Sequence, residues 1–286
     1  SLELAYDVQG QGEPLLLVMG IGAQRIFWDL RLCAQLVAAG FQVIRFDHRD
    51  LGESTRLDHL PAPRPLPMLA RFAVGLPVPA PYDLSDMAAD AVGLLDHLGI
   101  GRAHVVGVSM GGMVAQHLAI EHPGRIASLA SVMSTTGART LGLRARPSAL
   151  RALLSPPPRS ADEAGDHLAQ LFARIGGEQL PSDGDALRAI GRAAFERGFS
   201  PRGFARHFAA ILASGDRTKR LAGVRAPTLV FHGARDPLIH VAAGRATARA
   251  IAGARLVVEP EMGHHLPPAI WPRLVAAIAA NAARAG

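Results

Sequence analysis

"HVVGVSMGG", residues 104–112, sets Ser109 between Gly107 and Gly111 directly after a short apolar run. Two readings compete for this serine. It is a turn residue with no chemistry, or it is a nucleophile presented on a strained turn between a strand and a helix. A strand that feeds G-x-S-x-G and then a helix is the second arrangement. The turn is so sharp that side chains two positions away on either side would collide with the strand or the helix, which is why glycines flank it. Glycine and serine are common in turns, so the rest of the chain has to decide.

A serine hydroxyl is a poor nucleophile at neutral pH; it needs a base, and the base needs an orienting acid. Downstream, "FHGARDPLI" (231–239) puts Asp236 just past the end of an apolar run, and "EMGHHLPP" (261–268) puts His264 just past the next one, 28 residues later. That interval suits one strand–helix–strand unit. Both residues therefore fall at the carboxyl ends of strands, where a parallel sheet carries its functional loops. Asp236 also stands before Pro237, where an aspartate can simply open a turn.

Apolar runs alternate with helical patterns along the chain, which argues for an α/β fold: a mostly parallel sheet with helices on both faces. "PLLLVMG" (14–20), "FQVIRFD" (41–47), "RAHVVGV" (102–108), "ASLASVM" (127–133), "PTLVFHG" (227–233) and "ARLVVEP" (254–260) read as strands. Helical spacing marks "IFWDLRLCAQLVAAG" (26–40), "LSDMAADAVGLLDHLGI" (84–100), "MGGMVAQHLAIEHP" (110–123) and a last helix from Ala269 to Ala283. Asp83, with Asp86 three residues on, starts the second of these, and Gly99 stops it. Two regions break the rhythm. The Pro-rich stretch 56–82 is long for a connection, and 135–225 reads as short helices separated by "SPPPRS", "GGEQLPSDGD" and "RGFSPRG". The expected organisation is a core of 1–134 and 226–286 interrupted by a helical cap at 135–225.

The 286 residues carry 49% hydrophobic and 19% charged side chains, a composition for one sizeable packed domain. No apolar stretch approaches the roughly 20 residues of a membrane-spanning helix. The opening "SLELAYDVQG" reads as strand rather than leader, so a cytoplasmic location and no membrane partner are expected. Net charge is +6, nearly all of it arginine, with Lys219 the only lysine. The arginines are scattered and lack interleaved aromatics, so no nucleic-acid partner is expected. The one cysteine, Cys33, reads as a packed core thiol.

Read together, "VMGIG", "DHRDLGES", "GVSMGG", "GARDPL" and "GHHLPP" resemble, in content and order, the serine α/β-hydrolases, over nearly the whole chain. "VMG" and "DHRD-x-G-x-S" resemble the branch containing aclacinomycin methylesterase, a polyketide methyl-ester hydrolase. The resemblance implies an α/β-hydrolase fold, with Ser109 as nucleophile, His264 as base and Asp236 as its orienting acid. Its "G-H" pattern favours His264 over the adjacent His265, which is expected at the pocket rim or facing solvent. It also implies an oxyanion hole from the backbone amides of Ile21 and Met110, each such donor being worth ~3 kcal/mol in the transition state.

Met19, Gly20, Trp28 and His265 are candidate pocket residues, with Trp28 either beneath the oxyanion loop or ordinary core. Asp47, His48, Arg49 and Ser54 are expected to organise their own loop. His264, His265 and His232 lack the fixed ligand spacing of a metal site, so neither metal nor cofactor is expected. The expected partner is a small to medium apolar ester, a methyl ester among the candidates, cleaved through an acyl-enzyme. A carbon–carbon bond hydrolase, a lactonase or a perhydrolase would use the same three residues, and a non-catalytic binding protein could keep the pocket. Oligomeric state is open.

Overall fold

In the computed structural model, residues 2–177, 179–180 and 182–285 are described; Glu178 and Pro181, inside the break read at 176–185, lie outside them. The six apolar runs form strands, joined by a short one in the opening segment. These are β1 (Tyr6–Gln9), β2 (Glu13–Val18), β3 (Phe41–Phe46), β4 (Ala103–Val108), β5 (Ile126–Val132), β6 (Thr228–Gly233) and β7 (Arg255–Glu259). They make one sheet in the order β1-β3-β2-β4-β5-β6-β7, antiparallel only between β1 and β3. The helices of the first half are α1 (Leu30–Ala38), α2 (Pro65–Ala73), α3 (Leu84–His97) and α4 (Met110–Glu121). Between β5 and β6 come α5 (Arg139–Gly142), α6 (Pro147–Leu153), α7 (Ala161–Ile175), α8 (Gly184–Gly198), α9 (Pro201–Ala213) and α10 (Thr218–Leu221). The chain ends with α11 (Ala242–Ala250) and α12 (Trp271–Ala282).

The central strands are continuous apolar runs because both faces are covered. Alternate side chains go to opposite sides. Leu15, Leu17, Val43, Val106 and Phe231 share a core with α1 and α12, whereas Leu16, Val18, Ile44 and Val105 share one with α3 and α4. Fully burying each such side chain stabilises the fold by about 1.5–3 kcal/mol. Cys33 lies in the first core, and burial pushes its thiol up to about 11. Helix α3 begins as its residues suggest: the Asp83 carboxylate accepts from the Ser85 and Asp86 amides while the Asp86 carboxylate accepts from the Asp83 amide. It ends before Gly99, whose φ of 67° suits glycine.

One departure from expectation is α2, inside the Pro-rich stretch. Pro65 occupies its first helical position, where a missing N–H costs nothing and a fixed φ helps. Met68 points inward from it to meet Phe208 and Ala209 of α9. The Pro-rich stretch is expected to help roof the pocket; what its prolines do not suggest is that it does so with a helix.

Strand order reverses between β2 and β4, which leaves a crevice at their carboxyl ends. The loops after β2, β4, β6 and β7 converge there. The helical segment is fastened above it by charge. Arg206 of α9 meets Asp50 through two bonds, Nε to Oδ2 at 2.8 Å and Nη2 to Oδ1 at 2.5 Å, with both side chains fully buried. Tyr82 donates its hydroxyl to Asp50 Oδ2 at 2.7 Å, and the Leu57 amide donates to Oδ1 at 2.8 Å.

Burial alone would raise the Asp50 carboxyl; the bonds from Arg206, Tyr82 and Leu57 outweigh it and hold the group below its ordinary value. A depressed carboxyl contributes stability above its unfolded value, near ~3.9, and loses it as pH falls through the folded value. Asp50→Asn is therefore expected to lower the unfolding free energy at neutral pH by about 3–5 kcal/mol, because it strands a buried guanidinium. In urea titrations the gap between variant and wild type should narrow below pH ~4.

Candidate active site

Ser109 joins β4 to α4 at φ 54° and ψ −119°, a conformation that costs a non-glycine residue roughly 1–3 kcal/mol. Its surroundings hold it there. The Ser109 amide donates to the Val132 carbonyl at 2.9 Å. A Cβ on Gly107 would lie 2.1 Å from the Gly111 carbonyl oxygen, and one on Gly111 would lie 2.1 Å from that of Val18. The flanking glycines thus let helix and strand backbones touch, as their positions suggest. The serine itself remains partly exposed.

Its hydroxyl lies 3.0 Å from His264 Nε2, and His264 Nδ1 lies 2.6 Å from Asp236 Oδ2. The three residues read from separate stretches of sequence are one hydrogen-bonded line. A carboxylate accepts and cannot donate, so Nδ1 carries the imidazole proton and Nε2 presents a lone pair to the Ser109 hydroxyl. Asp236 follows β6, and its other oxygen accepts from the Leu238 and Ile239 amides at 2.9 and 2.8 Å. The Asp-Pro pair does shape a turn, and that same turn orients the carboxylate.

The loop after β2 lies against the serine: a Cβ on Gly20 would be 3.4 Å from Ser109 Cβ. The Gly20 carbonyl accepts from the Ala23 amide at 3.4 Å. Carbonyl and N–H of one planar peptide point in opposite directions, so the Ile21 N–H is turned away from that bond. Among the described residues neither the Ile21 nor the Met110 N–H meets an acceptor. Met110 opens α4, where the first N–H groups are free and the helix favours negative charge.

Much of the DHRD segment serves to hold this loop. His48 Nε2 donates to the Met19 carbonyl at 3.0 Å. Burial depresses His48 below its ordinary value and keeps it neutral. Asp47 accepts from the Arg25 amide and guanidinium, both at 2.6 Å, and its carbonyl takes the Ser54 hydroxyl at 2.6 Å. Gln24 bonds the Ala194 carbonyl at 2.7 Å and accepts from Arg197 at 2.6 Å, so α8 grips the loop from above.

Two candidate pocket residues fall elsewhere. Trp28 is core, packed on the α1 side of the sheet. The expectation that His265 faces rim or solvent is corrected: it is 3% exposed, with Nε2 2.5 Å from the Leu180 carbonyl, and so ties the loop after β7 to the segment beyond α7. Met19 is buried and contributes chiefly its carbonyl. Ile21 joins Met68, Phe72, Leu154, Phe208 and Leu212 in an apolar cluster between core and helical segment.

Gln24, the Asp50–Arg206 pair and a role for His232 are not evident from the sequence. His232 Nε2 donates to the Ile239 carbonyl at 2.8 Å and lies 3.6 Å from Asp236 Oδ2; burial holds it below its usual value. Its place next to Gly233, at the end of β6, was the one available signal.

Comparison with known proteins places the chain in a family. Rhodomycin D methylesterase DnrP of Streptomyces peucetius is 31% identical, over 98% of this chain and 95% of its own. Among solved structures, the enol-lactonase of Burkholderia xenovorans LB400 superposes with a TM-score of 0.73 at 24% identity, covering 98% of this chain and 96% of its own. A thermophilic esterase from Thermogutta terrifontis gives 0.72 at 26%, over 99% and 94%. The model of the alpha/beta hydrolase fold matches residues 13–267, and the chain belongs to that family.

Proposed function

We propose that this protein is a carboxylic-ester hydrolase acting through Ser109, His264 and Asp236. The observation that carries the reading is the line from Ser109 Oγ to His264 at 3.0 Å and on to Asp236 at 2.6 Å, set on a strained elbow beside two free N–H groups. Ser109 Oγ attacks the ester carbonyl carbon as its proton passes to His264 Nε2. The carbonyl electrons move onto oxygen, which the Ile21 and Met110 amides receive. As the tetrahedral adduct collapses, the bond to the alkoxy group breaks and His264 returns the proton to the leaving alcohol. Water, deprotonated by the same nitrogen, attacks the acyl-enzyme. The acid leaves and Ser109 regains its proton. Asp236 stays ionised throughout and stabilises the imidazolium. None of these steps calls on a metal or an organic cofactor.

The apolar cluster of Ile21, Met68, Phe72, Leu154, Phe208 and Leu212 favours an uncharged acyl group. Similarity to a rhodomycin D methylesterase supports a methyl ester as the substrate class. In this reading 135–225 is the cap over a core of 1–134 and 226–286.

Hydrolysis of p-nitrophenyl esters of increasing acyl length is expected to peak at one length, as a site of limited size requires. Ser109→Ala should lower kcat by about 10⁴-fold or more, and Asp236→Asn by about 10⁴-fold through loss of the required tautomer. Activity that survives Ser109→Ala would refute the mechanism.

A further inference from the structure

The Ser109 carbonyl accepts three hydrogen bonds. Two come from the first turn of α4, the Gly112 amide at 3.0 Å and the Met113 amide at 3.3 Å. The third comes from outside the elbow: the Ser134 hydroxyl donates to it at 2.8 Å. Ser134 stands just past the end of β5 and is buried. Two unusual backbone features bring it there. Met133, just before it, has a φ of 41°, in the left-handed region that non-glycine residues rarely adopt. On the other side Gly112 leaves the space open, because a Cβ there would lie 2.6 Å from Ser134 Cβ. Both partners are shaped around one contact.

Peptide geometry says what the contact does. The Ser109 carbonyl and the Met110 N–H belong to the same rigid, planar peptide and point in opposite directions. Whatever fixes the oxygen fixes the N–H. We infer that Ser134 is a positioning residue for the reaction: its hydroxyl holds the Ser109–Met110 peptide in the plane that aims the Met110 N–H at the oxyanion. This rests on Ser109 being the nucleophile. Chain beyond Ser134 is anchored in turn. Buried Arg217 donates to the Thr135 carbonyl at 3.0 Å, its amide donates to the Thr136 carbonyl at 2.8 Å, and the Thr218 and Thr136 hydroxyls lie 2.9 Å apart. The point where the helical segment leaves and rejoins the sheet is thereby linked to the elbow.

Ser134 is buried with its hydroxyl committed to the Ser109 carbonyl, so its loss should weaken the transition state and spare the ground state. Ser134→Ala is expected to lower kcat on a p-nitrophenyl ester roughly tenfold, less than deleting an oxyanion donor outright, with KM within about twofold. Binding of phenylboronic acid, which forms a tetrahedral adduct on the serine, should weaken by the same factor as kcat. Ser134→Cys, similar in shape but a weaker donor, should fall between. Wild-type kcat and boronate affinity in Ser134→Ala would overturn the inference, even if melting temperature fell. So would a rise in KM with kcat unchanged. A wild-type protein that binds no boronate and whose activity survives Ser109→Ala would instead overturn the reading of Ser109, and this inference with it.

Discussion

A serine held at φ 54° and ψ −119° between β4 and α4 leaves the backbone little freedom around it, and much of the molecule is arranged to meet that demand. The strained residue persists because its environment over-determines it. Its amide is bound to β5, and its carbonyl to α4 and to Ser134. Gly107 and Gly111 let helix and strand backbones close upon each other. Together these contacts keep the serine from relaxing to an ordinary turn conformation.

Both peptides that face the crevice are held through their oxygens. The Gly20 carbonyl is bound by Ala23, and the Ser109 carbonyl by three donors, which leaves the N–H of each peptide free. Free donors fixed before the substrate arrives need no reorganisation when charge develops, which is the source of their catalytic value. The polar residues supporting them bring together segments distant in sequence. Asp47, Arg25, Gln24 and Arg197 hold the loop after β2, and Asp50 with Arg206 holds the helical segment above it. His264 and His265 also connect to that segment, through the Ile175 and Leu180 carbonyls. Catalytic geometry and roof position are in this way parts of one hydrogen-bonded structure.

The sheet and the line of three residues were legible in the sequence because their signals are local. Continuous apolar runs mark β2, β4 and β6, and Ser109, Asp236 and His264 each sit just after such a run with glycine close by. Side-chain placement beyond these was not. Asp50 and Arg206 are 156 residues apart, and nothing near either announces the other. Prolines read as breakers hid α2, although Pro65 fits its first position. Trp28 and His265 lie near functional loops in sequence, but one packs under the sheet and the other against the roof. Ser134 looked like an ordinary residue at a strand end; only the tertiary approach of β5 to the elbow gives it a partner.

Activation of Ser109 by His264 can be tested directly by labelling. A fluorophosphonate reacts with an activated serine and leaves a covalent mark that peptide mass spectrometry can locate. A single adduct is expected, on Ser109, formed rapidly in the wild-type protein and far more slowly in His264→Ala. An adduct on another residue, or labelling of Ser109 at an unchanged rate without His264, would contradict it.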